Sequence, residues 1–153
     1  MTICLVDTSI FCNILEVPGR CQDKQRVVDE LEQKIGEESN LLLPLAAIVE
    51  TGNHIAHCTN GGARRKVAKR FVKQVRMAIE GTAPWVVTPL PGKSDWLTWL
   101  EEFPDTAMRG VGIGDLSILK AFEQQCRLHP MRRVMIWSLD VALDGYDRAP
   151  RRT

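Results

Sequence analysis

Four short apolar runs, at residues 2–6, 41–43, 85–88 and 134–137, alternate along the chain with longer segments whose apolar residues recur at helical spacing. Short runs bounded by turn or acidic residues read as buried strands. Strands that take turns with helices build a mainly parallel sheet with helices packed on both faces. The expected fold class is therefore α/β, a three-layer α/β/α sandwich around a central sheet of four or five strands. A fifth strand is too short or too polar to locate. At 153 residues the chain suits one domain with a real core. That domain is expected over residues 1–147, with a basic, frayed tail over residues 148–153.

The helical segments follow from periodicity and stop signals. Residues 9–15 carry Ile10, Phe11, Ile14 and Leu15 on one face, and Val17-Pro18-Gly19 breaks the run. Residues 22–36 place Val27, Val28, Leu31 and Ile35 in one stripe. A helix from Leu45 to about His57 follows Pro44, and Gly61-Gly62 reads as a turn. The segment 63–80 buries Val67, Phe71, Val75, Ala78 and Ile79, while Ser94 and Asp95 can cap a helix that runs to about Glu102. Residues 103–110 then read as a loop, 114–128 as a helix, and 141–146 as a short closing helix.

Net charge is only +1, so bulk charge points neither to nucleic acid nor to a membrane, and steering must come from local patches. The first residues lack a basic leader and no segment approaches a membrane span, which fits no membrane partner. Five cysteines form an odd, scattered set without a Cys-x-x-Cys pair. They read as free thiols in a reducing cytoplasm, neither a disulfide framework nor a thiolate zinc site.

Four acids stand where the chain enters or leaves these segments: Asp7 after the first strand, Glu50 on a helix, Asp115 at a helix start and Asp140 after the last core strand. Strand ends of a parallel sheet gather on one edge, where α/β proteins build their sites. Carboxylates brought together repel unless cations sit between them. Hard divalent ions take oxygen ligands, so a Mg²⁺ or Mn²⁺ site is the chemistry this pattern suggests. A first-turn acid such as Asp115 is also expected to be kept ionised by the helix dipole. Taken singly, Asp7 and Asp140 would be helix caps and Glu50 part of a solvated face.

The residues Val6-Asp7-Thr8-Ser9, Ala47-Ile48-Val49-Glu50, Gly114-Asp115-Leu116-Ser117-Ile118 and Ser138-Leu139-Asp140 occur in an order that resembles the PIN-domain nuclease family. The length is similar to that of stand-alone toxins of VapBC-type toxin–antitoxin pairs. The resemblance implies a metal-dependent endoribonuclease. Asp7, Asp115 and Asp140 would hold Mg²⁺ or Mn²⁺ directly or through water, and Glu50 would complete the cluster or orient the attacking water. Ser9 and Ser138 would steady a carboxylate or a bound water. An antitoxin protein and a homodimer are the partners it implies. The chain departs from the family in having Ser138 where Thr is commoner and Ala142 two places after Asp140; Asp144 comes two residues later, which leaves one or two metals open.

Other segments carry weaker signals. The helix bearing Arg64, Arg65 and Lys69 concentrates positive charge and is either a solvated face or a phosphate-tracking one. Arg109 opens a glycine-rich loop to Gly114 that could approach a phosphate, with turn flexibility as the plainer reading. Glu50, His54, His57 and Cys58 share a helix face but lack the His-Glu-x-x-His zinc spacing. The histidines are placed near the site entrance. Trp96, Leu97, Trp99 and Leu100 read as core or as an apolar surface for a protein partner. Ser9, standing two places after Asp7, argues against an aspartyl-nucleophile phosphohydrolase. A catalytically silent PIN-like module that binds RNA or protein, or a PIN nuclease in phage defence or RNA processing, are the alternatives.

Overall fold

Every side chain of the first strand, Ile3 to Val6, is buried, and its neighbours explain why. In the computed structural model, which describes residues 1–152, this strand is the centre of a five-stranded sheet. Cys4 and Val6 point into one core cluster, while Ile3 and Leu5 pack in another with Val134. An unbroken apolar run is what a strand covered on both faces requires.

The elements follow in the order β1 (Ile3–Val6), α1 (Thr8–Leu15), α2 (Lys24–Gly36), β2 (Asn40–Leu43), α3 (Leu45–Ala56), α4 (Gly61–Glu80), β3 (Trp85–Val87), α5 (Lys93–Met108), α6 (Ile113–Leu128), β4 (Val134–Trp137) and β5 (Asp147–Arg148). The spatial order is β3-β2-β1-β4-β5. β1 pairs in parallel with β2 and β4, β2 with β3, and β5 joins β4 antiparallel. The chain is thus an α/β protein with a mostly parallel sheet, a layout compatible with three layers. Among the described residues no helix is long and apolar enough to cross a membrane.

The larger core holds Phe11, Leu15, Val27, Leu43, Val67 and Trp85, drawn from α1, α2, α4 and the strands. Phe11 stands edge-on to Trp85, with ring centroids 5.9 Å apart. On the other face, α6 lays Ala121, Phe122 and Cys126 against Ile3, Leu5 and Val134, and Ile118 against Ile136 and Leu143. This is one apolar stripe at helical spacing.

Several local expectations are corrected. Gly61-Gly62 is not a turn but the opening of α4, because the Asn60 side chain accepts the Ala63 N–H at 2.9 Å and caps the helix. Ile79 faces solvent, as does Ile35 near the end of α2. In α5 the cap position is Gly92, and Ser94 lies inside the helix; Asp95 reaches back to accept the Gly92 N–H at 2.8 Å. The segment 103–110 is not a loop, since α5 continues to Met108 through Pro104. The carbonyl that Pro104 leaves without a donor belongs to exposed Leu100, where water can serve instead.

The short closing helix over 141–146 does not form. The chain makes one turn there, with Leu143 and Asp144 N–H groups both on the Asp140 carbonyl, and Gly145 at φ 95° swings it back. The Tyr146 carbonyl accepts the Ile136 N–H at 2.8 Å, which starts the antiparallel pairing of β5. Arg148, the expected start of a frayed tail, is therefore in the sheet, and its guanidinium donates to the carbonyls of Cys126, Pro130 and His129. Thr153, the end of that tail, lies outside the described residues.

Candidate active site

The strand order reverses at β1, whose two neighbours β2 and β4 lead away in opposite directions along the sheet. In an open parallel sheet the crevice beyond such a switch point is where ligands bind. Asp7 follows β1 at that point and Ser138 to Asp140 follow β4; the Asp7 N–H continues the ladder by donating to the Trp137 carbonyl at 3.0 Å. α3 brings in Glu50 and α6 brings in Asp115. All four acids line one cleft of about 340 Å³.

Asp7 is buried and stands ahead of α1, yet its side chain does not cap that helix. Its Oδ2 instead accepts the hydroxyls of Ser9 at 3.0 Å and Ser138 at 2.7 Å. Those serines close the circuit: Ser9 Oγ accepts the Leu139 N–H at 3.0 Å, and Ser138 Oγ accepts the Asp140 N–H at 2.9 Å. The two strand ends are thereby locked together around one carboxylate, with the rest of Asp7 left for the cleft. Charge-assisted bonds of this kind fix geometry as well as adding stability.

Glu50 Oε2 accepts the Thr8 hydroxyl at 3.0 Å. Its other oxygen lies against Gly114, where any Cβ would collide with it. The glycine before Asp115 thus has a packing reason: with any side chain at this position the Glu50 carboxylate would have to leave the place it holds beside α6. Asp140 keeps part of the cap-like role that a lone Asp suggests, since its Oδ1 accepts the Ala142 N–H at 3.0 Å in a local turn. It is exposed at the cleft's rim.

Asp115 reports the electrostatics. Burial first, and then the charges of Asp7, Glu50 and Asp140, push its carboxyl up from 3.8 to about 6. Desolvation and three acids thus move it against the direction in which its first-turn position at α6 acts, although a carboxyl at about 6 is still largely ionised at neutral pH. None of the ion pairs among the described residues includes any of the four acids.

The donor set is right for a hard cation, because Asp7, Glu50 and Asp140 each commit one oxygen to the hydrogen bonds above and keep the other. Among the described residues, however, no three His, Cys, Asp or Glu side chains are arranged to hold one ion together. The fit is therefore to an ion that takes one or two carboxylates directly and keeps water on its other positions, as Mg²⁺ does.

Not every candidate enters the cleft. His54 lines it; burial, then the charge of Arg20, lowers its pKa, and Glu50 acts in the opposite direction. His57 is turned to its own helix, with Nδ1 2.6 Å from the Asn53 carbonyl oxygen. Asp144 is absent from the cleft wall and lines a separate groove with Glu30 and Trp137. Arg64 and Arg65 flank an apolar groove between α3 and α4, Lys69 is exposed on α4, and Arg109 is exposed beyond α5. The positive face of α4 is also not free of acids, since Arg70 approaches Glu16 at 3.9 Å. Glu16 ends α1, about 12 Å of helix away from Asp7.

Sequence reasoning missed Asn13, Arg20 and Gln22, which line the cleft from α1 and the loop after it. Buried Asn13 donates to the Ser9 carbonyl at 2.8 Å and accepts the Asp23 N–H at 3.0 Å, so it ties the loop to α1. The readable signal was Pro18-Gly19, a turn that folds the following residues back towards the strand end. No family model, curated protein or solved structure matches the chain.

Proposed function

We propose that this protein is a PIN-like, Mg²⁺- or Mn²⁺-dependent endoribonuclease, acting as the toxin of a toxin–antitoxin pair. The observation that supports it best is the meeting of Asp7, Glu50, Asp115 and Asp140, from four separate elements, in one cleft at the switch point of the sheet. A divalent ion bound there would lower the pKa of a water and neutralise charge on the phosphodiester. Asp7, Asp115 and Asp140 would hold it, one or two of them directly and the rest through its waters, with Glu50 completing the set. Ser9 and Ser138 keep Asp7 in one orientation, and Thr8 does the same for Glu50. With a water placed against Glu50, attack on phosphorus breaks the P–O3′ bond and leaves a 5′-phosphate and a 3′-hydroxyl. Arg64, Arg65, Lys69 and Arg109 lie outside the cleft, so any contact they make is with the RNA backbone away from the cut.

The exposed apolar residues of α5, Trp96, Leu97 and Leu100, together with Leu90, are the surface on which we place a protein partner, an antitoxin or a second copy. Five free thiols suit a reducing cytoplasm.

The test is cleavage of a single-stranded RNA by the purified protein with Mn²⁺ or Mg²⁺, with and without chelator, followed by end-group analysis. Metal-dependent cuts with 5′-phosphate ends support the reading; no cleavage with either ion overturns it. One observation favours a second reading, a catalytically silent module that binds RNA or protein: among the described residues no three His, Cys, Asp or Glu side chains converge on one ion. RNA binding that is indifferent to both metal and chelator, without cleavage, would select it.

A further inference from the structure

One cation stands in the wall of the acidic cleft, and the fold takes trouble to put it there. Arg20 is the single Lys or Arg among the cleft's lining residues. It ends a tight turn in which the Arg20 N–H donates to the Val17 carbonyl at 2.9 Å, with Pro18 and Gly19 between them. Gly19 has φ 79°, the left-handed conformation that the third position of a type II turn requires and that glycine accepts at no steric cost. The turn is anchored at both ends. Val17 is fully buried, and its N–H donates to the Cys12 carbonyl at 3.0 Å. Beyond Arg20, the Gln22 side chain donates to the Gly19 carbonyl at 2.7 Å, and Asn13 holds the Asp23 N–H.

A guanidinium in a cleft lined by five carboxylates, Asp23 of its own loop among them, would ordinarily pair with one of them. Arg20 takes part in none of the ion pairs among the described residues, nor does its side chain hydrogen-bond to any described residue. Its charge nonetheless acts on His54 and Cys12, both of which line the cleft. An exposed, unpaired guanidinium carried on an anchored turn beside a site for a phosphodiester has the chemistry to take phosphate oxygens, which Arg does with two parallel N–H donors. The acids alone would repel the strand, so a cation on the rim answers a need that the carboxylates create.

We propose that Arg20 is a substrate-positioning group that binds a backbone phosphate of the RNA strand next to the one being cut. This rests on the nuclease reading above and names the residue through which that site takes hold of its polyanion. Arg20 then supplies uniform binding to the ground and transition states, and little to the chemical step.

The test compares wild type, Arg20→Ala and Arg20→Lys on a short single-stranded RNA with Mn²⁺, reading kcat and KM across a salt series. RNA binding by fluorescence anisotropy and Mn²⁺ binding by calorimetry are measured in parallel. Arg20→Ala should raise KM about tenfold with kcat within about twofold. It should flatten the salt dependence of log kcat/KM by about 0.7, the share of one phosphate contact on a single strand. Mn²⁺ affinity should not weaken, and Arg20→Lys should fall between the two. An Arg20→Ala variant that matches wild type in KM and in salt slope overturns the proposal, as does one that loses kcat and Mn²⁺ binding at unchanged KM. If wild type neither binds nor cleaves RNA, the nuclease reading itself fails and Arg20 loses its role with it.

Discussion

Asp147 receives both nitrogens of the Arg133 fork, Nε at 2.8 Å and Nη2 at 2.5 Å, whereas Asp115 shares its cleft with Asp7, Asp23, Glu50 and Asp140 and joins no ion pair among the described residues. The two side chains have the same chemistry and are pushed in opposite directions. The hydrogen bonds from Arg133 lower the Asp147 carboxyl, while burial and like charges raise that of Asp115. Asp147 joins the last two strands of the sheet, and its ion pair is explained by packing alone. Asp115 sits among like charges that no ion pair among the described residues offsets, the surroundings that the proposed metal site would use. A count of acids would treat the two alike; only the surroundings separate an ion pair that ties strands together from a carboxyl crowded by its own kind.

The sharpest way to break the contrast is to neutralise one acid of the cleft. Asp7→Asn or Asp115→Asn should cut RNA hydrolysis by at least about 10²- to 10³-fold while leaving the far-ultraviolet circular dichroism unchanged. Gly114→Ala comes next. Its methyl group must displace the Glu50 carboxylate, and an approximately tenfold loss of kcat at unaltered circular dichroism would show that the two helices meet as described. Ser138→Ala removes the 2.7 Å hydroxyl from Asp7 and should lower stability by about 1 kcal/mol in a urea titration, with a smaller fall in kcat.

The pH response should differ in sign between the two acids. The folded pKa of Asp115 lies above its unfolded value, so the carboxyl favours the fold fully only below 3.8, and this contribution is lost as pH rises towards about 6. In chelator, Asp115→Asn should therefore melt above wild type beyond pH 6, by about 2 to 4 °C or less given its partial exposure, and the gap should close below pH 4. Adding Mn²⁺ should stabilise wild type and leave the variant behind. Asp147 behaves oppositely: its folded pKa is depressed, so its contribution is present above the unfolded value and lost as pH falls through the folded one. Arg133→Ala should cost only about 0 to 1 kcal/mol at neutral pH, because both partners are well exposed.

The elements that hold the acids were legible because burial wrote them plainly. A central strand covered on both faces must be apolar throughout, so 2–6 and 134–137 announce themselves, and Asp7 and Asp140 are located by where those runs end. What stayed hidden depends on partners distant in sequence. β5 is two charged residues that become a strand only by pairing with Val134 and Met135. α5 was cut short at Pro104 because the sequence does not say that the freed carbonyl faces water. Asn13, Arg20 and Gln22 enter the cleft through a loop whose return is set by one glycine's φ and by buried Asn13. The four acids could be nominated from the sequence, and Ser9 and Ser138 as holders of a carboxylate through the resemblance; that both serines converge on Asp7 and close onto the Leu139 and Asp140 N–H groups could not.

The sheet also finishes in a particular way at its margins. One border is the three-residue β3, with Pro84 just before it and Pro89 just after; the other is the two-residue β5, carrying a guanidinium–carboxylate pair. Neither offers a long, bare row of amide and carbonyl groups to a neighbouring chain, so the molecule resists self-templated strand addition. Growth into fibrils by its native sheet is thereby disfavoured, and contacts with other molecules fall to the helices and the loops between them.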